Sequence, residues 1–144
     1  MFKYGSFRNF VIKFFAGIVL FIFGLIHLTS LYSFSPNDPG FNQLNYNIDD
    51  SEISNLLGFF GAYLSSYSLI FIGTLSYLLA FFITTEGAKL FLGIVNRFII
   101  LKFLSNLAGI IIINISLRSV DVKYFNVGLI SQFLVDLFKS IDLN

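Results

Sequence analysis

The chain of 144 residues contains no cysteine and no tryptophan, and only two prolines and one histidine. Without cysteine there is no disulfide framework, no thiolate zinc site and no thiol nucleophile. Charge is scarce too: 12% of residues are Asp, Glu, Lys or Arg, against about 25% in an average soluble domain. So few charges cannot solvate a globular surface. They also exclude a disordered tail, which needs the opposite composition. Nine Lys+Arg against eight Asp+Glu leave a net charge of +1, and no basic patch is present to neutralise phosphates. This speaks against direct nucleic-acid binding by this segment.

What is present is apolar: 56% of residues are hydrophobic and 19% aromatic, with 20 Phe and seven Tyr. The mean hydropathy is +0.84. The length allows one domain, and most of its surface must face lipid. Residues 1–13 form a basic N-terminus with Lys3, Arg8 and Lys13 and no acid. Residues 14–34 are then free of charge. As a helix they would run about 32 Å, enough for a hydrocarbon core of about 30 Å. A cleaved signal peptide is the competing assignment, and it would need a small-x-small site. The segment Ser30–Ser35 has bulky residues at the alternate positions, which favours a retained anchor.

Both prolines fall in the next segment, Ser35-Pro36-Asn37-Asp38-Pro39-Gly40. Proline fixes its own φ and cannot continue a helix, so this is a turn. It opens an outer loop, residues 35–55, that holds Asp38, Asp49, Asp50 and Glu52 and no Lys or Arg. A solvated acidic face accounts for these acids better than a calcium loop, because the regular ligand alternation is missing. Asp49 and Glu52 can cap the next helix.

Residues 53–85 again carry no charge. The pattern predicts one long helix that begins in the interface and then crosses, with its span at about 65–84. Gly58, Gly61, Ala62, Ser65, Ser66, Gly73, Ser76 and Ala80 recur in steps of three, four and seven. Such a stripe of small residues marks a helix–helix contact, and Leu at Gly61 or Gly73 is expected to weaken assembly. Glu86, Lys89 and Arg97 mark a short polar connection. A third apolar run, residues 98–116, contains Lys102, Asn106 and Asn114. Lys102 lies one turn from the entry end, where a long side chain snorkels to the headgroups. In the C-terminal segment, 117–144, Ile130, Phe133, Leu134, Leu137, Phe138 and Ile141 form an apolar face at helical spacing. This amphipathic helix is too short and too charged to span, so it either lies in the interface or packs on the bundle. The fold class is an all-α membrane protein: three transmembrane helices plus a C-terminal amphipathic helix.

With the N-terminus inside, the inner segments carry five Lys/Arg and the outer ones three, as the positive-inside rule requires. The chemistry on offer is slight. His27, the lone histidine, is better explained as a hydrogen-bonding group than as a ligand or base, since no partner lies near it in sequence. No G-x-x-x-x-G-K-[ST] occurs, so no P-loop can hold a nucleotide. The spans carry no central carboxylate of the kind that marks an ion path. No catalytic, cofactor or metal residues are assigned, and the segment is not expected to be an enzyme.

One stretch is more specific than composition. Leu31 to Phe41, with Ser35, Pro36, Asp38 and Pro39, is followed by Asn55, Gly58, Gly61 and Ala62 leading into the second apolar run. This resembles the N-terminal four-span membrane domain of FtsK/SpoIIIE-type DNA translocases, which reads (S/T)-Y-x-P-x-D-P after its first span and N-x-x-G-x-x-G-A at its second. The tyrosine of that pattern is Phe34 here, with Tyr32 nearby. The resemblance is strong over residues 14–85 and looser beyond, and the expected fourth span and motor lie past Asn144. It implies a bacterial inner-membrane anchor at the division septum, working in chromosome segregation. Its partners would be the lipid bilayer, further copies of itself and other division proteins. A stand-alone small membrane scaffold or regulator is the alternative. Turn and cap chemistry alone would also account for the signature residues.

Overall fold

The computed structural model describes residues 4–41, 53–94, 98–119 and 126–142. All five regular elements among them are helices: α1 (Tyr4–Tyr32), α2 (Gly58–Phe71), α3 (Ser76–Phe91), α4 (Ile99–Ser119) and α5 (Gly128–Asp142). Two of them, α1 and α4, are long and apolar enough to cross a membrane, and the bent pair α2–α3 can supply a third crossing. The protein is therefore an all-α membrane protein. Side chains such as Phe7, Phe15, Val19, Ile22, Ile100, Leu104 and Ile112 stand exposed along α1 and α4, as suits helices that face lipid. Helix α1 begins before the first uncharged run, so Arg8 and Lys13 sit on the helix itself.

The second apolar run departs from expectation. Instead of one long helix, α2 and α3 meet at a bend of 116°. The break falls at Ile72–Leu75, inside the expected span 65–84. Gly73 sits there at φ +82 and Gly128 at φ +69, both in the left-handed region that L side chains rarely adopt. The two glycines also lie against each other's backbone. A Cβ on Gly73 would strike Asn126 and Gly128, and one on Gly128 would strike Ile72 and Gly73.

Helix α3 runs antiparallel along α1. Gly17 faces the Phe91 backbone, Gly24 faces Thr84, and Gly87 faces the Phe21 backbone. Near the other end the Tyr77 hydroxyl donates to Leu31 O at 2.7 Å. Glycines at these levels let the two backbones touch, which is how helices gain contact where lipid supplies no hydrophobic drive. Helix α4 packs on α3 through Leu75, Leu79 and Ile110, with Ile72, Ile83 and Leu107 around them. Glu86 and Lys89, expected in a connecting loop, lie within α3 and pair at 2.7 Å. Arg97 lies outside the described residues.

Helix α5 takes the second of its two expected placements and packs on the bundle. It touches α4 and α2, with Ser131 fully buried against them. Its apolar face points away: Phe133 is 68% exposed and Phe138 58%. An exposed Arg118–Asp136 pair at 3.4 Å joins α4 to α5 and contributes little.

The glycine contact gives a direct test. Gly24→Leu or Gly87→Leu forces the α1 and α3 backbones apart and is expected to cost at least about 1–3 kcal/mol, as overpacking does. Gly109→Ala, in open space on α4, should be neutral or stabilising by up to about 1 kcal/mol. Thermal unfolding in micelles checks both, and equal midpoints for all three variants would contradict the close contact.

Candidate functional site: a polar clamp at the end of the first helix

The proline turn gathers the signature residues at the C-terminal end of α1. That end leaves carbonyls without helical partners, and Asn55 takes them. Its Nδ2 donates to Ser30 O at 2.9 Å and to Ser33 O at 3.3 Å. Its Oδ1 accepts from the Leu57 N–H at 3.1 Å, and the side chain is buried. The Asp38 carboxylate performs the complementary task. It accepts from the Ser54 N–H at 2.8 Å and the Asn55 N–H at 2.9 Å, so it holds the chain just before α2. Asp38 is 7% exposed, which corrects its assignment to a solvated acidic face. Asp49, Asp50 and Glu52, and the cap expected from them, lie outside the described residues.

The rest of the turn is packed on α2. Pro39 is fully buried. Gly40 abuts Ser66, where a Cβ would collide, and the Phe41 N–H donates to Ser66 Oγ at 3.2 Å. Ser35 Oγ accepts from the Asn37 N–H at 3.3 Å within the turn, and Pro36 lies on its exposed side. Asp38, Pro39 and Asn55 are thus brought together, while Ser35 and Pro36 stand at the rim. Phe41 packs on the rings of Tyr67 and Phe71, which continue the Phe59, Tyr63, Tyr67, Phe71 ladder along α2.

The small-residue stripe is divided by the break and used inside the chain. Gly61, Ala62, Ser65 and Ser66 are buried on α2. Ser30 Oγ donates to Gly61 O at 2.6 Å, and Ser65 Oγ reaches the same oxygen at 2.9 Å. Gly61 has no room for a side chain beside Asn55 and Leu57. Ser76 and Ala80 are buried on α3, and Gly73 belongs to the break. Gly58 makes no close contact within the chain: it starts α2 at φ +60, and a Cβ there would meet nothing of the chain itself. Leu at Gly61 or Gly73 therefore disturbs this chain's own packing before it disturbs any assembly.

Two further side chains serve the break between α2 and α3. Asn126 Nδ2 donates to Leu69 O at 3.2 Å, and Asn126 O accepts from the Thr74 N–H at 2.8 Å. Asn114 Nδ2 donates to Ile72 O at 2.8 Å. His27 joins α1 to α2 through Nε2 and Ser68 Oγ at 2.8 Å. The Ser68 hydroxyl proton goes to Leu64 O, so His27 is the donor and carries its proton on Nε2. The site is built from hydrogen bonds to backbone, and among the described residues no three His, Cys, Asp or Glu side chains cluster to hold a metal ion.

The family model described as the 4TM region of DNA translocase FtsK/SpoIIIE matches residues 11–130. The chain belongs to that family. The match covers the clamp, the broken pair and α4. No curated protein and no solved structure matches the chain. Ser30, Ser33 and Asn126 escaped sequence reasoning because their partners lie far along the chain. Gly17 and Gly24 could have been found, since they stand seven residues apart on one face of α1.

Removing the Asp38 carboxylate leaves two N–H groups without their partner. Asp38→Ala is expected to lower the unfolding free energy in micelles by about 1–3 kcal/mol. Asp38→Asn keeps one acceptor oxygen and should lose less. Asn55→Ala acts on the same network, so the double variant should fall short of the summed losses. Full additivity in a denaturant titration would show that the two side chains do not form one clamp.

Proposed function

We propose that this chain is the membrane anchor and assembly platform of an FtsK-type DNA translocase, held in the bacterial inner membrane at the division site. The family match over residues 11–130 carries this reading. The anchor's work is mechanical: it places a motor beside the septum and resists the pull of DNA. A chain built from backbone-to-backbone helix contacts and a polar clamp suits that load. ATP hydrolysis and DNA movement belong to the motor, and the contribution of this region is position and assembly with further copies and division proteins.

The N-terminus lies in the cytoplasm in this reading, supported by Lys3, Arg8 and Lys13 before the first uncharged run in the sequence and the acidic, base-free 35–55 segment after it. The Asp38–Asn55 clamp then stands at the outer face, where it holds the turn of residues 35–41 for presentation to other envelope proteins.

The absence of cysteine makes orientation easy to test. Asn9→Cys and Asn37→Cys each introduce one thiol at an exposed position. An impermeant maleimide should label Asn37→Cys on intact cells and Asn9→Cys only after permeabilisation; the reverse pattern would overturn the orientation. A fluorescent fusion of the whole protein should gather at the septum. Even distribution around the membrane would contradict the division role and favour a general scaffold.

A further inference from the structure

We propose that the groove between α3 and α4 is a binding site for one anionic phospholipid. The groove has a volume of about 550 Å³. On α4 it is lined by Lys102, Ser105, Asn106, Gly109, Ile110 and Ile113, with Leu101 beside Lys102, and on α3 by Leu78 and Phe82. The α4 residues follow helical spacing, so they form one face. That face is polar for its first turn and a half and apolar beyond. It has the layout of a phospholipid, with headgroup contacts at one end and a channel for acyl chains at the other.

The dimensions agree. From Lys102 to Ile113 the helix rises about 16 Å, close to half of a hydrocarbon core of about 30 Å. The groove therefore runs from the edge of one leaflet to about mid-bilayer. Gly109 keeps it open, because nothing lies within contact distance of where its side chain would be.

Charge selects the occupant. Lys102 is exposed on the groove and makes no ion pair with a described residue. Three acids are engaged elsewhere: Asp38 holds backbone N–H groups, Glu86 pairs with Lys89, and Asp136 pairs with Arg118. Glu86 opens into the neighbouring groove, with which Phe82 is shared. A second copy of the chain docked here would bring the same cation, and the acid nearest that level, Glu86, is already paired with Lys89. A lipid phosphate brings the missing negative charge and accepts from the Lys102 ammonium and the Ser105 hydroxyl. This site holds whichever side of the membrane the N-terminus occupies, so it stands or falls apart from the proposed division role.

Native mass spectrometry of the protein purified in micelles with equal phosphatidylglycerol and phosphatidylcholine tests the site. The anionic lipid should be retained about tenfold over the zwitterionic one, the ratio that one charge-assisted contact of about 1.4 kcal/mol provides. Lys102→Met should bring the ratio to about one, with helicity unchanged by circular dichroism. Lys102→Arg should keep the preference, as should Lys139→Met on α5. Gly109→Leu should reduce retention of both lipids by closing the channel. Excess inorganic phosphate should not displace the lipid; if it does, the site binds a free anion and the proposal is wrong. Equal retention of both lipids by the native protein, or an unchanged preference in Lys102→Met, would also overturn it.

Discussion

Inside a bilayer every backbone N–H and C=O must find a protein partner, because no water is there to replace one. A helix meets this demand by itself, so the difficulty is confined to where helices end or break. This protein meets it with four short side chains. Asn55 takes the carbonyls at the end of α1, and Asp38 takes the N–H groups before α2. Asn114 and Asn126 take the carbonyls at the break between α2 and α3. Everything else in the fold depends on these substitutions of side chain for backbone.

The clamp and the break have a joint consequence for direction. Clamping fixes where α2 begins, beside the end of α1, and the Gly73–Gly128 contact fixes where it ends. Between them α2 is turned 116° from α3, which leaves α3 alone to run along α1. The close approach of those two helices through Gly17, Gly24 and Gly87 is then the main crossing contact. The polar clamp and the glycine contact are thus two parts of one design, the first setting the angle and the second using it. The family signature falls on the first: Asp38, Pro39 and Asn55 are buried and engaged rather than displayed. An anchoring role fits such residues, since they transmit force through shape and carry no reagent.

Much of this was legible in the sequence, and what was not has a physical cause. The first and third apolar runs became α1 and α4, because length and lack of charge are sufficient to specify a crossing. The amphipathic spacing from Ile130 to Phe138 became α5. The bend at Gly73 stayed hidden because hydropathy does not register backbone direction. Gly73 fits a small-residue stripe equally well, and the partner that makes it a break, Asn126, lies more than fifty residues away. Asp38 stayed hidden among the loop acids for the same reason: its bonds reach Ser54 and Asn55 across the loop. Motif resemblance did mark Asp38 and Asn55, but only the fold shows that they act on each other's neighbourhood.

The central claim is that side chains replace helical partners at the end of α1 and at the break between α2 and α3. Amide hydrogen exchange of the native protein in micelles, read by NMR at Ser54 and Asn55, tests it most directly. These amides stand outside the helices, yet the Asp38 carboxylate accepts from both. They should exchange as slowly as amides in the interior of α3. Exchange at the rate of the exposed turn amide of Asn37 would contradict the account.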